Sequence, residues 1–235
     1  MRTIAIIPAR GGSKGIPRKN LLNLQGKPLI RHIIETALGV AELERVIVST
    51  DDEEIADVAR GAGAEIPFIR PKDLAADNIP TLPVLQHAVG HLENSENYRP
   101  DVVVLLYATS PMLTPARIRE GIRMMMNRDL DSLVSMVKEN GHYWVEGSDG
   151  YRRLYPPEVM NRQYARPVLK ENGALYMCTR DLLMEKGMLV GGRMGVLVME
   201  KYESIDIDDP VDAEVVQLLL KEKKHEGNHR RFGDR

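Results

Sequence analysis

Thr3-Ile4-Ala5-Ile6-Ile7-Pro8-Ala9-Arg10-Gly11-Gly12-Ser13-Lys14-Gly15 decides the fold. Thr3 to Pro8 is an apolar, β-branched run of the length of one buried strand. A turn rich in glycine and cations follows at once, with Arg18, Lys19 and Asn20 just beyond it. In an open α/β sheet, ligands bind at the carboxyl ends of the strands, where this turn must lie. Its glycines let backbone N–H groups approach phosphate oxygens, and its cations offset the charge of a triphosphate. The spacing is neither G-x-x-x-x-G-K-[ST] nor G-x-G-x-x-G, which excludes a P-loop ATPase and disfavours a dinucleotide oxidoreductase.

Outward from that turn, short β-branched runs alternate with amphipathic helical patterns, the pattern of a mostly parallel sheet covered by helices on both faces. Further strands are expected at Arg45 to Ser49, Ile66 to Ile69, Asp101 to Tyr107, Ser132 to Val137, Ala174 to Cys178 and Gly195 to Met199. The run from Asp101 is the most apolar and belongs at the centre of the sheet. A helix starts near Pro28 with Leu29, Ile30, Ile33, Ile34, Ala37 and Leu38 on one face. Thr50 and Glu53 read as a capping box for the next helix, and Thr114-Pro115 and Asp209-Pro210 as a cap followed by proline. Val211, Val215, Leu218 and Leu219 are the apolar positions of the last helix. From Lys138 to about Lys170, and again from Met184 to Met194, the periodicity breaks. The chain therefore reads as one α/β domain, 1–235, with an excursion within 138–194 that lines a pocket or makes a subunit contact.

The chain has 235 residues, 43% hydrophobic and 28% charged, with a formal charge of −2. That balance supplies no general attraction to nucleic acid or to an anionic membrane, so an anionic ligand must be held by local cations and N–H groups. Met1 to Pro8 is too short an apolar run for a signal peptide, and no other run approaches the roughly 20 residues of a membrane span. A cytoplasmic location is expected. The single cysteine, Cys178, reads as a buried thiol in a strand rather than a nucleophile. Among six histidines, His32 reads as a surface or packing residue.

Near the other end stands Ser204-Ile205-Asp206-Ile207-Asp208-Asp209-Pro210. In extended backbone, residues two apart share a face, so Asp206 and Asp208 point together while Ile205 and Ile207 turn to the core. Two converging carboxylates repel unless a cation joins them, and Mg2+ is satisfied by one or two carboxylates plus phosphate oxygens and water. Asp209 is left to cap the helix.

The stretch Ile7-Pro8-Ala9-Arg10-Gly11-Gly12-Ser13-Lys14-Gly15-Ile16-Pro17-Arg18-Lys19-Asn20 resembles the signature of the acylneuraminate cytidylyltransferases, the CMP-sialic acid synthetases. Ser49-Thr50-Asp51, Arg70-Pro71 with Leu74-Ala75 and Asp77, Thr109-Ser110-Pro111, Asn172-Gly173-Ala174 and the acidic segment follow in that family's order. The resemblance implies a nucleotide-diphospho-sugar transferase-like fold with a dimerisation protrusion, and a homodimer. The implied activity is CMP transfer from CTP to a nine-carbon 2-keto sugar acid, with release of pyrophosphate. It assigns catalysis to Arg10, Lys19, Asp206 and Asp208. Nucleotide contacts fall to Ala9, Arg10, Gly11, Gly12, Ser13, Lys14, Lys19, Asn20, Arg70, Asp77 and Thr81. Sugar contacts fall to Tyr107, Thr109, Ser110, Gln163, Lys170 and Asn172. Mg2+, replaceable by Mn2+, belongs on Asp206 and Asp208.

Three places depart from the family pattern. Tyr107 stands where the family often has a sugar-facing glutamine, Leu113 where it has arginine, and Lys170-Glu171 replaces Arg-Pro before Asn-Gly. These departures bear on the acceptor, with N-acetylneuraminate, Kdn and legionaminate as candidates. A CMP-Kdo synthetase is the neighbouring alternative, although its loop usually carries Ser-Thr-Arg-Leu-Pro. A non-catalytic nucleotide-binding module is the alternative of another class.

Overall fold

The computed structural model describes residues 1–155, 158, 161 and 167–226. Strand β1 (Thr3–Pro8) is parallel both to β4 (Arg45–Ser49) and to β5 (Val102–Leu106), and its side chains alternate between two cores. Ala5 and Ile7 join one cluster, Ile4 and Ile6 the other. The first core is covered by α1 (Leu29–Leu38), α2 (Glu53–Gly61) and α4 (Pro115–Asn127). The second lies under α3 (Thr81–Glu96) and α5 (Arg180–Met184). A small hairpin of β2 (Asn23–Leu24) and β3 (Lys27–Pro28) precedes α1.

The six-stranded sheet is completed by β6 (Ser132–Glu139), β9 (Val168–Thr179) and β10 (Met194–Met199), in the order β10-β6-β9-β5-β1-β4. As expected, β5 is interior and buried at every position. The strand β9 alone runs antiparallel to its neighbours. It begins six residues before the expected Ala174, because the polar residues Lys170 and Glu171 pair with β6 and hide the strand from a hydrophobic reading. The excursion contains an exposed hairpin of β7 (Trp144–Gly147) and β8 (Gly150–Arg153).

Three local expectations are corrected. Ile66 to Ile69 forms no strand; Pro67 removes a ladder donor, and only Glu65 bridges to Ile47. The cap of α2 is Asp52, whose carboxylate accepts from the Ile55 amide at 3.0 Å, while Thr50 Oγ1 accepts from the Asp52 amide. Asp52 immediately precedes the helix; Thr50 lies two residues too early. The last helix, α6 (Pro210–Glu226), buries Val216 with Ala213, Leu219 and Leu220 and leaves Val211, Val215 and Leu218 exposed. Apolar residues stand on two stripes of that helix, so spacing alone did not choose the face.

Asp209 caps α6 as expected, accepting from the Asp212 amide, and Asp212 accepts in return from the amides of Asp208 and Asp209. Thr114 caps α4 by accepting from the Arg117 amide. Among the described residues no helix is long and apolar enough to cross a membrane. Cys178 is buried, and burial pushes its thiol up to about 12. The expected outcome is a folded protein that does not react with a colorimetric disulfide reagent at pH 8. One equivalent should be consumed only after denaturation, whereas stoichiometric reaction of the native chain would contradict the assignment.

Candidate functional site

The site is built where three segments meet at the carboxyl ends of β1 and β5. The loop after β1 is anchored backbone first. The Ala9 amide donates to the Ser49 carbonyl at 2.9 Å, and the Gly11 amide to the Asp51 carboxylate at 3.1 Å. Asn20, nearly buried, donates through Nδ2 to the Arg10 carbonyl at 3.0 Å, so it holds the shape of the loop. Gly15 has no room for a side chain, because a Cβ there would sit on the carbonyl oxygen of Asp208. That contact brings the N-terminal loop against the acidic segment 193 residues away in sequence.

The acidic segment is held just as firmly. Ile207 is fully buried, its amide donates to the Thr109 carbonyl at 2.9 Å, and its carbonyl accepts from Lys19 Nζ at 2.7 Å. Ser110 is fully buried and donates to Asp206 at 3.4 Å. Asp206 and Asp208 lie on the side away from Ile207, as their spacing predicts. Burial pushes the Asp206 carboxyl above the usual range; a hydrogen bond from Thr109 opposes this, and the charge of Asp208 adds to it. An elevated carboxyl beside a second carboxylate is a place where a cation is favoured. Among the described residues no three His, Cys, Asp or Glu cluster as metal ligands.

A bulge in β9 supports the segment from beneath. Between Val134 and Met136 the register with β6 shifts, and Ser135 Oγ donates to Asn172 Oδ1 at 2.6 Å. Asn172 also accepts from the Ala174 amide and donates to Ser204 Oγ at 2.8 Å. Side chains thus satisfy backbone donors that the bulge frees from the ladder. Gly173 is left-handed (φ +71°), and its Cα faces the Asp206 carboxylate. A half-buried ion pair of Arg117 with Glu203 steadies the turn before Ser204.

Two cavities open beside this junction and share Asp208. The first, about 450 Å3, is lined by Arg10, Lys14, Lys19, Arg70, Thr81 and Tyr107, with Ser13, Asp77 and Thr109 also on its wall. The second, about 620 Å3, carries Lys170, Glu171, Tyr176, Lys201, Asp206 and Asp208. Asn172 borders the second cavity, but its amide is engaged within the protein. Leu113 is core, on the same cluster as α1 and α4. Gln163 lies outside the described residues.

Crowded loop cations imply, from sequence, an anion to relieve them. The structure supplies internal carboxylates instead. Arg10 and Lys14 both meet Asp77, at 2.9 and 3.1 Å, Arg18 meets Asp52 and Glu54, and Lys19 meets Asp208 at 3.2 Å. The unmet demand lies on Arg70, which sequence reading placed among the contacts without singling it out. Its side chain is 4% exposed, Nε and one terminal nitrogen have no hydrogen-bond partner, and the nearest carboxylate oxygen, of Asp51, is 3.7 Å away. Burial pulls its pKa down. A desolvated, half-satisfied guanidinium on a cavity wall calls for an acceptor from a ligand.

Comparison with known proteins agrees with this geometry. A cytidylyltransferase family model matches residues 4–202. The chain belongs to the cytidylyltransferase family. It is 33% identical over 226 residues to the pseudaminic acid cytidylyltransferase of Campylobacter jejuni, covering 94% of this chain and 97% of that protein. It is equally identical over 227 residues to the CMP-N,N'-diacetyllegionaminic acid synthase of Legionella pneumophila, with the same coverage. A CMP:2-keto-3-deoxy-manno-octonic acid synthetase solved with CTP superposes with a TM-score of 0.72, over 95% of this chain and all of that one. At 22% identity that likeness is one of fold.

Asp77 occupies two cations that face the first cavity. Removing its charge should free both for a polyphosphate. Asp77→Asn is expected to tighten inorganic tripolyphosphate on the order of two- to fivefold, consistent with the roughly 0.2–1 kcal/mol of an exposed ion pair. Isothermal titration at low salt measures this; weaker binding by the variant would instead make Asp77 a ligand contact.

Proposed function

We propose that the cytidylyltransferase transfers CMP from CTP to the anomeric 2-hydroxyl of a nonulosonic acid, and that the acceptor is a diacylamido sugar of the pseudaminic or legionaminic type. The observation that carries this reading is the meeting of two cavities at one carboxylate, Asp208, beside the Lys19 ammonium. One chamber is cationic and holds an orphaned guanidinium, as a triphosphate donor requires. The other mixes Lys170 and Lys201 with carboxylates and a tyrosine, which suits an acidic, polyhydroxylated acceptor. The two named relatives, similar over nearly their whole lengths, act on pseudaminic and diacetyllegionaminic acids. N-acetylneuraminate is the second candidate. Kdo is less favoured, since its synthetase is matched by fold.

The reaction forms a bond from the acceptor's 2-hydroxyl oxygen to the α-phosphorus and breaks the bond to the bridging oxygen, which leaves with pyrophosphate. The hydroxyl proton is released. Such displacements depend on positioning and charge neutralisation rather than a covalent intermediate. Arg10 and Lys14 turn from Asp77 to the phosphates, Lys19 bridges the donor and the acidic segment, and Arg70 takes an acceptor atom of the nucleotide. Thr81 and Asn20 shape the nucleotide wall, and Lys170 attracts the sugar carboxylate as a point charge. Asp206 and Asp208 would hold Mg2+, which supplies charge neutralisation to the triphosphate. We also propose a homodimer. The β7–β8 hairpin and its surroundings expose Trp144, Tyr151, Leu154 and Leu169, more apolar surface than a lone hairpin retains in water.

Pyrophosphate release from CTP with Mg2+ and pseudaminate, legionaminate, N-acetylneuraminate, Kdn and Kdo tests the reading. Turnover with a diacylamido acid above the others is expected. Turnover with Kdo alone would replace the acceptor class, and tight CTP binding without turnover would make the chain a binding module. Arg10→Ala should lower kcat by a factor on the order of 10²–10³ with an unchanged melting temperature. In Asp208→Asn the Mg2+ titration should shift to higher concentration; a superimposable titration would remove Asp208 from the metal site.

A further inference from the structure

The side-chain amide of Asn172 is spent entirely inside the protein. The Ala174 backbone N–H can only donate, so the atom it meets at 3.2 Å is Oδ1, and that fixes the sense of every bond around it. Oδ1 also accepts from Ser135 Oγ at 2.6 Å, while Ser135 itself accepts from the Leu175 amide at 2.9 Å. Nδ2 donates to Ser204 Oγ at 2.8 Å and to Met199 Sδ at 3.5 Å. Ser204 places its single proton on the Glu200 carbonyl at 2.8 Å. Two donated and two accepted bonds are the full capacity of a side-chain amide, so nothing is left for a sugar hydroxyl. Asn172 is 6% exposed; Ser135 is fully buried and lines neither of the two cavities.

These bonds reach the acidic segment at two points. Asn172 holds Ser204, two residues before Asp206. The next residue along the bulge, Gly173, lies against the Asp206 carboxylate, where a Cβ would stand 3.7 Å from Oδ2. The other carboxylate oxygen, Oδ1, accepts from Ser110 at 3.4 Å. Asp206 is thus set between the loop after β5 and the bulge of β9, and the shape of that bulge depends on Ser135 and Asn172. We infer, on the cytidylyl-transfer reading with Asp206 as a ligand of Mg2+, that Ser135 and Asn172 are positioning residues: through Ser204 and Gly173 they aim the Asp206 carboxylate, and Asn172 makes no contact with the acceptor. Groups that stand one step behind a metal ligand change metal affinity or activity by about 10- to 100-fold when they are removed. Ser135 is the sharper probe of the two, because its hydroxyl acts on Asp206 only through the bulge.

Two measurements separate positioning from contact. Calorimetric titration of CTP in Mg2+ and in EDTA reads, without turnover, the gain in affinity that the metal confers. Steady-state pyrophosphate release, with the nonulosonic acid that the wild-type enzyme uses, reads kcat and the KM for the acceptor. Ser135→Ala and Asn172→Ala should each lower the Mg2+ gain and kcat by about tenfold or more, with CTP affinity in EDTA and the acceptor KM unchanged. Ser204→Ala, at a less buried position, provides the same readout if either variant does not fold by circular dichroism. An acceptor KM that rises in Asn172→Ala while kcat and the Mg2+ gain hold would make Asn172 a sugar contact and overturn the inference. A folded Ser135→Ala with wild-type kcat and Mg2+ gain would overturn it as well. Asp206→Asn is the control for the underlying reading. A Mg2+ gain that survives in that variant takes the metal off Asp206, and absence of pyrophosphate release by the wild type removes the transfer reaction; either is a different failure, and it removes the inference with it.

Discussion

Ile207 is the clamp on which the site depends. Its side chain is buried among Leu24, Leu29, Met112 and Val216, its amide is held by Thr109, and its carbonyl is held by Lys19. One residue thus joins the loop after β1, the loop after β5 and the lead into α6. Because side chains alternate in extended backbone, burying Ile207 forces Asp206 and Asp208 outward, onto the wall where the two cavities meet. Gly15 allows the first loop to close on the same backbone. Without this clamp the acidic pair would be two solvated residues at the start of a helix.

The electrostatics of the site are arranged as exchangeable pairs. Arg10 and Lys14 rest on the exposed carboxylate of Asp77, from which they are separated in water at little cost. Arg70 is different, being buried, desolvated and incompletely hydrogen-bonded. A group in that state gains more from a ligand than a solvated lysine does, since the ligand restores hydrogen bonds that folding removed. We therefore propose that affinity depends more on the buried guanidinium, while the loop cations contribute charge at the moment of transfer.

The sheet was largely legible because its strands are apolar and separated by helices of clear period. So were the loop after β1 and the alternation that sets Asp206 and Asp208 apart from Ile207. What escaped reading had physical causes. Pro67 sat inside an otherwise strand-like run, and the first half of β9 includes the polar residues Lys170 and Glu171, which pair with β6 before the bulge. The two apolar stripes of α6 are distinguished only by tertiary packing against the β2–β3 hairpin region. Asn172 and Ser110 matched a motif whose resemblance implied sugar contact; in the fold their polar atoms hold the acidic segment in place. The pairing of Arg10 and Lys14 with Asp77 joins residues more than sixty positions apart and leaves no trace in local sequence.

Donor and acceptor recognition are divided between different kinds of surface, and that division explains where the chain keeps its family's pattern and where it departs. The cationic chamber is made of residues whose charge and backbone placement a triphosphate demands, and each lies on or beside the clamped loops. Of the departures, Tyr107 follows β5 and lines the first chamber, and Lys170 lies on β9 and lines the second. Leu113 departs too, but into the core, where it packs with α1 and α4 and no longer reaches either cavity. The sheet can accept such changes because its stability comes from the two cores beneath, so the acceptor wall is free to vary without disturbing the phosphate chemistry next to it.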